Sequence, residues 1–297
     1  MTEMPFAAGL TGRTRVVGIF GDPVAHSLSP LMQNEAIRRA GIDAVYVPFH
    51  VTPERLPEAV SAIRALELTG VNVTIPHKEV VLPLLDEVTA DASRIGAVNT
   101  IVNSNGRLVG YNTDGAGFVQ SLRDDLGFDP VGGRVVLLGA GGACRAALFA
   151  LADAGAGEIV LVNRTMERAE TLQQQFQPLF EGTRIAASSV QELSDRLCGA
   201  DLLVNTTSLG LKGEAVAGLD LKKVTADLKV YDMVYRPEET PLVRAARAAG
   251  LQAADGLGML AAQGELAFAC WFGTAPPSGV MKRRLLAEVA EIRRGLS

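Results

Sequence analysis

Lys78 closes the segment Gly70-Val-Asn-Val-Thr-Ile-Pro-His-Lys-Glu79, and a single ammonium directly after a buried-looking strand is poorly explained by folding alone. An amine so placed reads as an acid/base group. Asp114, in Gly110-Tyr-Asn-Thr-Asp-Gly115, adds a carboxylate at a second strand-to-helix junction. Downstream, the glycine-rich turn Gly139-Ala-Gly-Gly-Ala143 stands between an apolar strand and an alanine-rich helix. A proton donor, an orienting acid and a phosphate cradle together point to a nicotinamide-dependent alcohol or ketone enzyme.

Positioning these residues requires an α/β scaffold. Short apolar runs predict strands at 15–21, 45–49, 71–75, 97–102 and 109–112. Helical periodicity predicts helices at 31–39, 53–66, 79–88 and 114–126 between and after them. That alternation is the signature of a sheet with helical crossovers. Gly127, Pro130 and Gly132-Gly133 mark a break. A second series then starts at Arg134-Val-Val-Leu-Leu-Gly139 and continues through 158–163, 201–205 and 230–234, a doubly wound half of the dinucleotide-binding kind. Past Gly250 the pattern turns helical, with 260–272 and 280–292 as the main candidates.

With 297 residues, 48% of them hydrophobic, the chain has material for two domains with a core each. A net charge of −5 argues against a polyanion-binding surface, so no nucleic-acid partner is expected, and Lys282-Arg-Arg284 reads as a solvated helix face. Residues 257–273 are apolar but short and carry Gln263 and Glu265, which predicts a packed helix and no membrane span. Met1 to Gly12 lacks the basic and apolar regions of an export signal, and Cys144, Cys198 and Cys270 are odd in number and far apart; both point to the cytoplasm. His26, His50 and His77 are the only histidines, and no metal site is expected.

On the cofactor side, the unhindered backbone of Gly139, Gly141 and Gly142 lets a pyrophosphate approach a helix N-terminus, although Cys144 stands where the dinucleotide fingerprint has a third glycine or alanine. An NAD site expects an acid at the end of the second strand to hold the ribose hydroxyls. This sequence has Asn163-Arg164-Thr165 there instead. Arg164 and Arg168, four apart at a helix start, can both face an adenosine 2'-phosphate, which favours NADP; surface pairing with Glu167 or Glu170 is the alternative.

On the substrate side, Ser27 and Ser29 point the same way in an extended loop. They could bind a carboxylate or cap the helix that Pro30 starts, capping being the commoner use. Asn72 and Thr74 share one strand face, and polar groups there need partners in the protein or on a polyol ligand. Five segments agree in order and spacing: His26-Ser-Leu-Ser-Pro30; Asn72-Val-Thr-Ile-Pro-His-Lys78; Gly96-Ala-Val-Asn-Thr100 with Asn112-Thr-Asp114; Gly139-Ala-Gly-Gly-Ala143 with Asn163-Arg-Thr165; and Tyr231-Asp-Met-Val-Tyr235 with Asp255-Gly-Leu-Gly-Met-Leu-x-x-Gln263. On these residues the chain resembles the shikimate dehydrogenase family, with its quinate-using relatives, over nearly its whole length.

The resemblance implies a two-domain α/β protein. An N-terminal substrate-binding domain over 1–113, completed by C-terminal helices in 251–297, would face a Rossmann-type NADP-binding domain over 114–250 across an interdomain cleft. It implies that Ser27 and Ser29 hold the substrate carboxylate and that Thr74, Asn99, Asp114 and Gln263 hold ring hydroxyls, with Tyr235 close by. Lys78 would be the acid/base. Gly139, Ala140, Gly141, Gly142 and Ala143, with Asn163, Arg164, Thr165 and Arg168, would hold NADP, and Met233 and Gly256 would lie near the nicotinamide. The reaction implied is reversible reduction of 3-dehydroshikimate to shikimate on the way to chorismate and the aromatic amino acids; a homodimer is among the assemblies open to such a chain. His77 and Gly264 stand where many members carry an aromatic residue and alanine, which bears on substrate preference.

Reduction needs a proton for the developing alkoxide, which Lys78 would supply, and oxidation needs its neutral amine. A salt bridge tying two loops is the structural alternative for Lys78 and Asp114. Three functional alternatives stand beside the dehydrogenase. One is a shikimate/quinate enzyme of broader use. A second is a non-catalytic NADP sensor, against which the presence of both Lys78 and Asp114 counts. The third is a Schiff-base lysine enzyme, which would need neither the glycine turn nor Arg164.

Overall fold

The computed structural model describes residues 10–216, 218–221 and 224–295. Residues 1–9, most of the stretch read above for an export signal, lie outside the described residues. The chain opens with β1 (Arg15–Gly21), α1 (Ser29–Ala40), β2 (Ala44–His50), α2 (Leu56–Ala65) and β3 (Gly70–Val73). Then come β4 (Glu87–Val88), α3 (Ala90–Ile95), β5 (Thr100–Ser104), β6 (Arg107–Tyr111) and α4 (Asp114–Leu126). The second series is β7 (Arg134–Leu138), α5 (Gly142–Asp153), β8 (Glu158–Asn163), α6 (Met166–Phe176), β9 (Arg184–Ser189), α7 (Leu193–Arg196), β10 (Leu202–Asn205), β11 (Lys229–Asp232) and α8 (Pro241–Ala248). The short strand β12 (Ala253–Asp255) and the helices α9 (Leu257–Phe272) and α10 (Val280–Gly295) follow.

Two six-stranded sheets result, ordered β2-β1-β3-β5-β6-β4 and β12-β11-β10-β7-β8-β9. The second is parallel throughout, with its chain order reversing between β7 and β10, the switch point where dinucleotides bind in doubly wound sheets. Its central strands are continuous apolar runs because helices cover both faces. In the first sheet β5 runs antiparallel to both β3 and β6. The start of β5 therefore meets the ends of both neighbours.

Helices α9 and α10 return to the first sheet. Leu257, Ala261, Phe268, Trp271, Met281 and Leu285 share a core with Val17, Ile19, Met32 and Tyr46. Trp271 donates its indole N–H to the Ile101 carbonyl at 3.0 Å, locking α9 onto the sheet. Helix α4 lies between the two sheets. A Cβ on its Gly117 would fall 2.6 Å from the Gln263 amide nitrogen, so only glycine permits this approach of α4 to α9.

Several elements depart from the sequence pattern. Residues 79–88, predicted as a helix, form turns, a 3-10 turn at Leu82–Leu84 and β4. Pro83 sits where a helix interior needs an amide hydrogen, and β4 pairs with β6 instead. The third strand ends at Val73 rather than Ile75, because Pro76 cannot extend the ladder. β5 begins at Thr100 rather than Ala97. α3, β9, α7 and β12 are not in the sequence reading; the Ala-Ala-Asp of β12 is a strand only because β11 offers it a parallel partner.

Candidate active site

The antiparallel register of β5 gathers three chain segments at one end of the first sheet: the turn after β3 with Lys78, the residue before β5, Asn99, and the residues after β6 leading to Asp114. Lys78 Nζ donates to Asp114 Oδ2 at 2.7 Å. The lysine side chain is 25% exposed and the aspartate 11%, so the pair is neither sealed in the core nor a free surface bridge. Asn99 Nδ2 donates to Asp114 Oδ1 at 2.9 Å and lies 3.4 Å from Gln263 Oε1 on α9. Asn112 Oδ1 accepts from the Asp114 and Gly115 amides, which fixes the first turn of α4 beneath the carboxylate. The main chain of the lysine turn is held by the Val98 amide donating to the Lys78 carbonyl at 2.8 Å.

Four residues expected at the site, Lys78, Asp114, Asn99 and Gln263, are thus joined by hydrogen bonds or near contacts. Ser27 and Ser29 lie at the entry to α1, where Ser27 Oγ accepts from the Ser29 amide at 3.2 Å; Leu28 occupies the cap position with no side-chain bond, so neither serine makes the usual helix cap. Thr74 packs against the end of β1, its methyl filling the space that a Gly21 Cβ would need. Tyr235 packs on the core of the first sheet, and burial pushes its phenol up from the ordinary value. Asn72 finds its partners within the protein: Tyr46, the Asn99 carbonyl and Thr100.

The two departures from the family pattern both serve packing. His77 is fully buried, its Nε2 donating to the Val51 carbonyl at 2.7 Å. A Cβ on Gly264 would meet Met32 Cε at 2.5 Å, and its carbonyl accepts from Gln33 Nε2 at 2.9 Å.

On the second sheet, the turn from Gly139 to Ala143 follows β7 at the switch point. Gly139 has φ +118, and a Cβ there would strike Thr206 Oγ1 at 2.6 Å, so the turn is restricted to glycine. A Cβ on Gly141 would meet nothing within 4 Å, leaving bare backbone open at the start of α5. That is the cradle a pyrophosphate needs. Arg164, Thr165 and Arg168 are exposed at the end of β8 and the start of α6, with Asn163 Nδ2 bonded to the Thr165 carbonyl at 2.8 Å. Among the described residues neither arginine forms an ion pair, so the pairing with Glu167 or Glu170 is not made.

Met233 follows β11, and its carbonyl occupies the place a Gly256 Cβ would take, so that close passage also needs glycine. Asn205, read from the sequence only as a strand end, and Thr206 and Thr207 border the glycine turn at the end of β10, where Asn205 Nδ2 donates to the buried Asp232 at 2.8 Å. A polar run directly after an apolar strand was the available signal. Burial raises the Asp232 carboxyl above the usual range.

A dinucleotide-binding sheet whose glycine turn lies beside the segment carrying a lysine–aspartate pair defines a pyridine-nucleotide-dependent oxidoreductase. The shikimate dehydrogenase substrate binding domain matches residues 19–101, the shikimate/quinate 5-dehydrogenase family matches 127–229, and the shikimate 5'-dehydrogenase C-terminal domain matches 256–286. The chain is 52% identical over 280 residues to a shikimate dehydrogenase (NADP(+)) of Geobacter metallireducens, covering 94% of this chain and 98% of that one. A shikimate dehydrogenase crystallised with NADP+ superposes with a TM-score of 0.89 at 36% identity, covering 96% and 99% of the two chains. The shikimate 5-dehydrogenase of Thermus thermophilus in complex with NADP(H) and shikimate gives 0.82 at 38% identity, covering 92% and 99%. The chain belongs to the shikimate dehydrogenase family.

Proposed function

We propose that this chain is an NADP-dependent shikimate dehydrogenase, reversibly reducing 3-dehydroshikimate to shikimate in chorismate biosynthesis. The observation that carries the reading is the 2.7 Å Lys78–Asp114 pair, held by Asn99, in a segment whose next residue, Glu79, lies 3.4 Å from where a Gly142 Cβ would stand. Bound NADPH would supply hydride to the ring carbon. Lys78 would give its proton to the oxygen as negative charge develops there, and in the oxidative direction its neutral amine would take that proton back. Asp114 would orient the amine and, with Thr74, Asn99 and Gln263, hold ring hydroxyls. Ser27 and Ser29 would bind the carboxylate, with Tyr235 alongside.

The open backbone at Gly141 fits the cofactor's pyrophosphate, and the two unpaired guanidinium groups fit its 2'-phosphate. The glycine turn, Ala140 and Ala143 included, would carry the first, Asn163 to Arg168 the second, and Met233 and Gly256 would border the nicotinamide. On this reading residues 1–113 with the C-terminal helices form the substrate domain, and the NADP domain runs from 114 to the end of β12, past the expected limit at 250. Unpaired Cys144, Cys198 and Cys270 support a cytoplasmic enzyme.

Absorbance at the NADPH band tests this directly. Shikimate, quinate and their dehydro forms are each assayed with NADP and with NAD. Turnover led by shikimate with NADP+ is expected. Stronger turnover of quinate would shift the assignment to the broader enzyme, and NADP binding without turnover of any of the four would leave a sensor.

A further inference from the structure

Tyr46 has no assigned part in the chemistry, yet it stands at the head of a hydrogen-bonded row that ends on Asp114. It lies on β2 and is 2% exposed, and burial pushes its phenol well above the ordinary value, so the hydroxyl keeps its proton. Its hydroxyl reaches Asn72 Oδ1 at 2.8 Å. Asn72 Nδ2 spends its two hydrogens on the Asn99 carbonyl at 3.1 Å and on Thr100 Oγ1 at 3.0 Å. Thr100 Oγ1, accepting from Asn72, donates its one proton to Asn99 Oδ1 at 3.1 Å. Asn99 Oδ1 also accepts the Thr113 amide at 2.8 Å, which leaves Nδ2 to donate to Asp114 Oδ1 at 2.9 Å.

Every link points the same way. Two groups on the row cannot reverse: the Asn99 carbonyl only accepts from Asn72, and the Thr113 amide only donates to Asn99 Oδ1. The geometry points to Tyr46 as a positioning residue that satisfies Asn72 Oδ1 and so holds the amide bracing the Asn99 carbonyl and the Thr100 hydroxyl behind the Asn99–Asp114 bond. Without the hydroxyl, Asn72 Oδ1 is left buried and unpartnered; turning the amide over would set that oxygen against the Asn99 carbonyl, so relief comes only from a shift that loosens the hold on Asn99 and Thr100. The Ser29 hydroxyl also lies beside the phenol, so the proposed carboxylate loop leans on the same atom.

The inference rests on the proposed dehydrogenase reading, and Tyr46→Phe tests it while keeping the ring and its contact with Trp271, 5.9 Å between centroids. The variant is expected to fold, as reported by the emission of the chain's single tryptophan. Its kcat for shikimate oxidation should fall roughly tenfold, about what one lost buried hydrogen bond is worth, with the NADP+ KM unchanged. Thr100→Val cuts the same row at its middle and should reproduce the effect, and the double variant should be no worse than the more impaired single one. A Tyr46→Phe enzyme with wild-type kcat overturns the inference. So does a parallel fall in kcat and NADP+ affinity with a shifted tryptophan emission, the mark of general loosening. Should Tyr46→Phe not fold, Thr100→Val decides alone. Inactivity of the wild-type protein toward shikimate would sink the functional reading itself, a result separable from these ratios.

Discussion

On the first sheet the candidate site is made of buried polar side chains, whereas on the second sheet it is made of bare backbone and exposed cations. Asn72, Asn99, Thr100, Thr113, Asp114 and Gln263 are all buried and bonded to one another or to main chain. Gly141 instead faces open space, and Arg164 and Arg168 extend outward without ion-pair partners among the described residues. The contrast follows from what each side would have to do. Proton transfer demands donors fixed before the ligand arrives, since misplaced dipoles cost rate. A phosphate can organise flexible guanidinium groups by itself, because charge-assisted bonds repay the ordering. Changes on the first sheet should therefore disturb folding and activity together, and changes at the arginines should disturb binding alone.

The sharpest test of that contrast is Lys78→Met, which removes the proposed proton carrier from the edge of the network. It should lower kcat roughly 10²–10⁴-fold while moving KM little. An unchanged kcat in steady-state assays would remove Lys78 from the chemistry. Asn99→Ala should lower stability by roughly 1–3 kcal/mol in urea unfolding and depress kcat as well, since Asp114 loses its amide donor. Stability lost without activity would mean the network serves the fold only. Arg164→Ala should weaken NADP+ binding about tenfold, leave NAD+ binding and the unfolding midpoint unaltered, and so separate the two sides cleanly in a fluorescence titration.

The smallest effect is expected at Asp232, where the second sheet also buries a carboxyl. Burial raises its folded-state carboxyl above the ordinary value, so wild-type stability falls as pH rises through the window between the unfolded and folded values. Asp232→Asn keeps an oxygen for Asn205 and the Val234 amide, both of which bond Oδ1, and escapes that loss. Its advantage over wild type should appear above the window and vanish below it. Urea unfolding at pH 4 and pH 7 measures it, and a pH-independent difference would contradict the assignment.

Local chemistry made much of this legible. The 114–126 helix and the 158–163 strand fall where periodicity places them, the helix stopping at Gly127 in the left-handed region. The glycine turn and Asn163-Arg-Thr165 could be read because backbone freedom and charge are properties of residue type. Residues 79–88 misled because their apolar spacing is helical while Pro83 forbids the helix and β6 offers a strand partner. β12 was invisible since three small residues carry no period of their own. Asn205 to Thr207 became visible as site residues only once β10 was seen to lie beside β7.

By itself the sequence determined the two alternating series, the cradle, the absence of a ribose-binding acid and the candidate proton carrier. All of these depend on one residue's type or on neighbours a few positions away. Only the tertiary structure decided which polar groups satisfy one another. Asn72 turned out to be a link within the protein, His77 a buried strut, and Gln263 a neighbour of Asn99 through the close approach that Gly117 permits. Hydrogen bonds have direction and a reach of about 3 Å, so partners separated by up to 231 positions can be paired only after the strands are in register.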